Sequence, residues 1–315
     1  MTPDLPTRLT AKVRAAAHPG GAECACAAGT LAHRSDVTVV RHADTVAKAH
    51  APDTAPTDLA LRLATAARLP DILLAPLSET PAYLDDRLVT LWPYGTPVDP
   101  DVPDAAPWEA AAVLLAGLHR APVPAASAPP VMRGPLKAAH AVARLRTAVT
   151  RHAHPAAQPV LGAWAALPAW ARAEAPMPGP AALSHGDLHL GQLVRHPAPY
   201  GPWRLIDVDD LGTGVPAWDL ARPAAWYACG LLPPDEWTRF LTAYRAAGGP
   251  AVPAHGDPWP ALDVPARALT AQTAARALTK ALTVGRPLDE VERALVDGCA
   301  RMVSVPAQLA PGSPA

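Results

Sequence analysis

Residues 184–221, SHGDLHLGQLVRHPAPYGPWRLIDVDDLGTGVPAWDLA, gather His185, Asp187, His189, Gln192, Asp207, Asp209, Asp210 and Asp219 in a chain that is only 17% charged. Imidazoles and carboxylates at this density are the groups that move protons and hold hard cations. Two alternating runs, QLVRH and WRLIDV, flank PAPYGP and read as a β-hairpin. The hairpin fixes what meets what. Asp187 and Gln192 lie just before its first strand, and Asp207 leaves its second strand at the same end. A carboxylate and an amide oxygen converging in this way suit Mg2+. Asp187, with its own place in the loop, suits a group that orients and deprotonates a hydroxyl. The competing reading makes His185, Asp187, His189 and Asp207 ligands of a transition metal, but it gives the tail PAWDLA no work to do.

The elements that must position these residues fall into two groups. Upstream, Leu9 to Ala17 reads as a helix, and Val37–Arg41 with Thr45–Ala49 reads as a hairpin turning at His42–Asp44. A helix through Leu59, Leu63 and Ala66 follows, capped by Thr57 or Asp58 and ended by Pro70. DILLAPL and DRLVTLWPYG read as strands. After a connecting segment at Gly95–Asp101 the pattern turns helical: PWEAAAVLLAGLHRAPVP, LKAAHAVARLRTAVTRHA, VLGAWAALPAWARAEA, DEWTRFLTAYRAAGG, ALTAQTAARALTKALTVG and LDEVERALVDGCARMVS. The expected division is a β-rich unit over 1–95 and a mainly helical one over 96–315.

With these motifs in place, the sequence resembles the aminoglycoside phosphotransferase and choline kinase-like family. The motif HGDLHLGQ followed by LIDVDDLGTGVPAWDLA follows that family's double signature, with Gly214, Pro216, Asp219, Leu220 and Ala221 at its offsets. Asp187 to Gln192 has the spacing of a kinase catalytic loop, and Asp207 falls where a second metal-binding Asp is expected. The resemblance implies an α+β, bilobal protein-kinase-like fold with a hinge near Leu91–Gly95. It implies Asp187 as catalytic base, His185 as organiser of the loop, Asp207 with Gln192 as Mg2+ ligands, and Asp219 as a buried tie on the loop. It further implies Lys48 on the α/β-phosphates and the backbone of Leu91, Trp92 and Tyr94 on adenine. His189 and Asp209 stand as supporting residues of the loop and the metal.

Three departures accompany the resemblance. Gln192 stands where the family has Asn, one methylene longer, and HLGQ is similar to a maltokinase-like branch. No Gly-rich phosphate loop is evident, AAGTLAH around Gly29 being the best candidate. The helix after Lys48 carries no Glu to pair with it, only Asp58.

The totals exclude several classes. A net charge of −1 without a basic block argues against nucleic acid. No apolar run approaches the roughly 18 residues of a membrane span, and no leader-like segment opens the chain, so a cytoplasmic protein is expected. Cys24, Cys26, Cys229 and Cys299 show no CxxC pair and read as reduced thiols. From residue 96 onward acidic and basic residues number 18 each, so no acidic excess marks a polycationic acceptor. The expected reaction is ATP- and Mg2+-dependent phosphoryl transfer to a hydroxyl of a small molecule: an aminoglycoside-like antibiotic, an amino sugar or a sugar. The alternative is a non-catalytic, nucleotide-binding pseudokinase. Nothing in the sequence indicates an oligomeric state.

Overall fold

The computed structural model describes residues 4–21, 24–34, 36–124, 127–179 and 181–304. The chain forms two compact units that are discontinuous in sequence. The first takes the N-terminal segment through Pro107 with Pro124–Pro130 and Leu190–Asp209, and the second takes Trp108–Val123, Val131–His189 and Asp210 onward. The hairpin that carries Gln192 and Asp207 therefore groups with the N-terminal third of the chain.

In the first unit, helix α1 (Leu5–Ala17) starts one turn earlier than the apolar pattern suggests. The Asp4 carboxylate caps it by accepting the Thr7 N–H at 3.0 Å, and Pro6 sits in its first turn. Its buried stripe is Leu9 and Val13, one helical turn apart. These meet Val40, Ala47, Ala49 and Val89 from a five-stranded antiparallel sheet of order β1-β2-β3-β5-β4. The strands are β1 (Ala28–His33), β2 (Thr38–His42), β3 (Thr45–Ala49), β4 (Ala82–Leu84) and β5 (Arg87–Pro93). Helix α2 (Pro56–Arg68) links β3 to β4. Its N-cap position is Ala55, with no side-chain cap; Thr57 and Asp58 lie inside the first turn, because Pro56 begins the helix. Gly29 lies within β1, so the phosphate-loop candidate AAGTLAH is strand. The β1–β2 connection, residues 34–37, has no glycine. DILLAPL is not a strand either. Between Pro70 and Pro76 only Leu73 bridges to Leu205, each proline lacking the N–H a ladder needs. A second sheet joins β6 (Thr96–Pro97), β8 (Leu193–Arg195) and β9 (Trp203–Leu205), as the hairpin pattern predicts for the last two.

The second unit is helical around a two-stranded ribbon of β7 (Ala182–Ser184) and β10 (Gly212–Gly214), paired antiparallel. Its helices are α3 (Trp108–Arg120), α4 (Gly134–Arg151), α5 (Ala157–Ala165), α6 (Ala217–Ala228), α7 (Pro234–Ala246), α8 (Trp259–Val284) and α9 (Glu290–Ser304). The single helix expected over VLGAWAALPAWARAEA is broken. α5 ends at Ala165 and Pro168 precedes a separate short turn over Ala169–Arg172, since its ring would clash in a continuous helix. No described helix is long and apolar enough to cross a membrane.

Candidate active site

Strand β7 delivers the chain to His185 and Gly186, where it must turn sharply. Gly186 has φ +85°, and a Cβ there would collide with the Asp210 carbonyl oxygen, so glycine is required. The turn is held from below by Asp219, in the first turn of α6. Its carboxylate accepts the N–H of His185 at 2.6 Å and of Gly186 at 2.8 Å, and it is itself buried. Buried carboxylates need all their lone pairs satisfied. His119, near the end of α3, supplies the third contact through Nε2 at 3.0 Å, and its Nδ1 lies 2.7 Å from the Tyr244 hydroxyl. Because a carboxylate only accepts, His119 donates from Nε2 and accepts at Nδ1 from Tyr244. Tyr244 in turn accepts the Ala251 N–H at 3.0 Å. Burial, reinforced by Asp219, pushes the Tyr244 phenol above its ordinary pKa, which keeps the donating proton in place.

Asp187 follows in the same loop. Lys137, on the first turns of α4, donates to its Oδ2 at 2.6 Å and to Asp210 Oδ2 at 2.6 Å. Arg222 of α6 donates to Asp187 Oδ1 at 2.6 Å and from Nε to the Leu188 carbonyl at 2.9 Å. Burial alone would raise the Asp187 carboxyl; Lys137 first and Arg222 second reverse that and hold it at about 2, with a smaller contribution from His189. Lys137 is half-buried; desolvation would lower its ammonium, but Asp210 and Asp187 outweigh it and raise it above its ordinary value. The start of α4 is pinned for this purpose: Met132 and Arg133 donate backbone N–H bonds to Thr213 and Asp210, and a Cβ on Gly134 would strike the Trp218 indole.

In the first unit, β3 carries Lys48, whose ammonium donates to Asp207 Oδ1 at 2.6 Å and reaches Asp209 Oδ2 at 2.9 Å. Burial would lower Lys48, but the two carboxylates outweigh it and raise it above its ordinary value; Asp209 lies well below its own. Asp58 is not the partner that Lys48 uses, and Asp209 is more than a surface acid. His50 Nδ1 stands 3.0 Å from Asp209 Oδ1, short of hydrogen-bond alignment. Thr90 Oγ accepts the Trp92 indole N–H at 2.8 Å and lies 2.8 Å from His50 Nε2.

Gln192 and Asp207 do come together. Gln192 donates from its side-chain Nε2 to Asp207 Oδ2 at 3.2 Å, and Ile206 donates its N–H to the Gln192 backbone carbonyl at 2.9 Å, locking the hairpin base. Asp207 adopts a left-handed backbone, φ 65°, uncommon outside glycine and typical of positions where a side chain is aimed. With the Gln192 amide turned over to present its oxygen beside the Asp207 carboxylate, the two would suit Mg2+, which takes one or two protein oxygens and leaves the rest to water and phosphate. The adenine segment is partly committed inside its own unit. The Leu91 carbonyl accepts the Leu77 N–H at 2.9 Å, Tyr94 N–H donates to Asp44 at 2.7 Å, and the Tyr94 carbonyl lies 3.2 Å from His196 Nδ1.

Sequence reasoning did not reach Lys137, Arg222, His119, Tyr244 or His50. Arg222 carried a signal, since it follows Asp-Leu-Ala directly and falls one turn from Asp219. His119 closes the leucine-rich helix that ends in Leu-His. Lys137 carried none, being 50 residues from Asp187 in an Ala-rich helix.

The fold is that of the protein-kinase-like α+β proteins. A choline/ethanolamine kinase family protein from Mesorhizobium loti aligns over 95% of both chains at 17% identity and a TM-score of 0.61. The macrolide 2'-phosphotransferase MphH of Brachybacterium faecium aligns over 95% of this chain and 99% of that one, at 20% identity and a TM-score of 0.51. The aminoglycoside phosphotransferase APH(4)-Ia, solved with AMP-PNP and hygromycin B, aligns over 93% and 98% at 13% identity and a TM-score of 0.58. The model of the phosphotransferase enzyme family, APH, matches residues 28–261, and the chain belongs to that family. No curated protein matches the sequence.

Proposed function

We propose that the protein transfers the γ-phosphoryl group of ATP to a hydroxyl of a small molecule. The observation that supports this most is Asp187, a carboxylate held ionised at about 2 by Lys137 and Arg222 on a loop that Asp219 braces. Such a group orients a hydroxyl throughout the reaction and takes its proton late, as a loose phosphoryl-transfer transition state requires. Lys137 and Arg222 each occupy one Asp187 oxygen, and each oxygen keeps a second lone pair for the acceptor hydroxyl.

Lys48 aligns the phosphates, and Gln192 and Asp207 hold Mg2+, which would supply neutralisation of the developing phosphate charge. The chain at Leu91, Trp92 and Tyr94 meets adenine. Aminoglycosides, amino sugars and sugars are the acceptor classes, and the cytoplasm, where ATP is abundant, is the site of action.

The test is to incubate the purified chain with Mg-ATP, and separately Mg-GTP, against aminoglycosides, macrolides, choline, sugars and amino sugars. ADP release and the mass gain of one phosphoryl group on the acceptor are read together. Transfer to one class fixes the acceptor. Tight nucleotide binding with no transfer and no slow nucleotide hydrolysis would replace this reading by the pseudokinase.

A further inference from the structure

A second cluster of chemistry lies in the first unit, on residues that phosphoryl transfer does not use. His18 follows the C-terminus of α1, Cys24 and Cys26 lie in the segment leading into β1, and His42 ends β2. One ligand atom from each of the four falls within 4.8 Å of all the others. Cys24 Sγ is 3.2 Å from His42 Nε2, Cys26 Sγ is 3.4 Å from His18 Nε2, and the two imidazoles meet edge to face at 5.2 Å.

Zinc binds thiolate at about 2.3 Å and imidazole at about 2.0 Å in a tetrahedron, whose sulfur–nitrogen edges are then about 3.5 Å. Both thiol–imidazole pairs have edges close to that length. Two independent thiol–imidazole hydrogen bonds would account for each pair separately. They give no reason for the pairs to converge on one sphere from three different elements.

We infer that His18, Cys24, Cys26 and His42 form a structural Zn2+ site. Two soft thiolates with two imidazoles in tetrahedral disposition select zinc among the common divalent ions. Four protein ligands close the coordination sphere, so the ion has no position for substrate. Binding releases the two thiol protons and leaves a site of zero net charge. The spacing CxC, with a histidine on either side, hides the site from a search for CxxC pairs; Cys24 and Cys26 are free of disulfide in the structure, as the sequence predicts, and both thiols are available to the ion.

The local packing gives the ion something to do. α1 rests on the sheet through buried Leu9 and Val13 and partly buried Leu5, against a small core of Val40, Ala47, Ala49 and Val89 flanked by Leu84 and Leu91. A core this slight gains from a cross-link. The site ties the end of α1 to the β1–β2 ladder, where His42 is the register partner of Ala28.

The test uses the full chain, expressed with zinc and purified without chelator. Metal analysis is expected to show about one Zn2+ per chain, with near-complete loss in Cys24→Ser/Cys26→Ser. Replacement by Co2+ is expected to give the thiolate charge-transfer and intense visible bands of tetrahedral cobalt. Because the double variant is open to misfolding, thiol alkylation of the parent supplies an independent readout. Cys24 and Cys26 are expected to be protected until a chelator is added, with the other two cysteines as internal reference. Absence of stoichiometric zinc together with free alkylation overturns the site. So does a Cys24–Cys26 disulfide in the purified chain, and so does full zinc retention in the double variant.

Discussion

Lys137 and Arg222 grip opposite oxygens of the same carboxylate, Asp187, each at 2.6 Å. They come from α4 and α6, so the ionisation of the proposed base is set by how two helices are anchored and not by the loop that bears it. The same Lys137 ties Asp210, which leads into β10, to Asp187 after β7. The charge on Asp187 and the position of its loop are thus one structural fact.

Removing one cation should free the Asp187 carboxyl toward its ordinary value. An opposite charge at this distance shifts a carboxyl by about 1–3 units. Lys137→Met should therefore raise the lower apparent pKa of kcat/KM by about one unit or more, with activity lost from the acidic side first. Arg222→Met should move it the same way. An unmoved acidic limb with merely scaled rates would show that Asp187 does not set it.

The same depression stabilises the fold. A carboxyl ordinarily near 3.9 and held at about 2 contributes its stability above pH 4 and loses it as pH falls toward 2. The contribution is roughly 2 kcal/mol. Urea titrations should show Asp187→Asn closing most of its stability difference from the parent between pH 5 and pH 2. A difference constant over that interval would contradict the assignment.

Asp187→Asn and Asp207→Asn should separate chemistry from nucleotide binding. The first keeps shape and removes the base, so transfer should fall roughly 10²–10⁴-fold with Mg-nucleotide affinity nearly intact. The second should weaken Mg2+-dependent nucleotide binding directly. Calorimetry of nucleotide binding alongside turnover distinguishes them, and the reversed pattern would exchange the two roles.

Tyr244→Phe should cost stability before it costs chemistry. It leaves the Ala251 N–H and His119 Nδ1 buried without their partner, a loss of about 1–3 kcal/mol. Thermal melting should report this, while nucleotide affinity should stay near that of the parent.

How far the sequence carried depends on whether neighbours in the fold are neighbours in the chain. The hairpins at Thr38–Ala49 and Leu193–Leu205 were legible because alternation and turn residues are local. So were the main helices, through their apolar spacing. DILLAPL was misleading, since apolar character says that a segment is buried and not that it finds a partner strand. Proline at 168 was visible, but its power to split one helix into α5 and a separate short turn depends on the packing beyond it. Lys48 with Asp209, Lys137 with Asp187 and the His18–Cys24–Cys26–His42 cluster all join segments whose separation carries no periodic signal. The compact units themselves are discontinuous, which a single cut near Gly95 does not express.

Gln192→Asn tests whether the longer side chain is tuned to its place. Both residues offer Mg2+ a neutral amide oxygen, so ligand charge is constant and only reach changes. Mg2+ holds its ligands at about 2.0–2.1 Å and tolerates displacement poorly. Gln192 is fixed through its backbone carbonyl, which accepts the Ile206 N–H at 2.9 Å, and its side-chain Nε2 donates to Asp207 at 3.2 Å, so a turn of the amide alone brings its oxygen beside that carboxylate. The shorter Asn therefore cannot follow the metal by shifting its backbone. A water should take the vacated place, activity should fall at limiting Mg2+, and raising Mg2+ should restore part of it. Gln192→Ala should fall further and recover less. Turnover measured across a Mg2+ series decides the matter. If Asn and Ala both track the parent at every concentration, Gln192 is no metal ligand, and the nucleotide half of the site rests on Lys48 and Asp207.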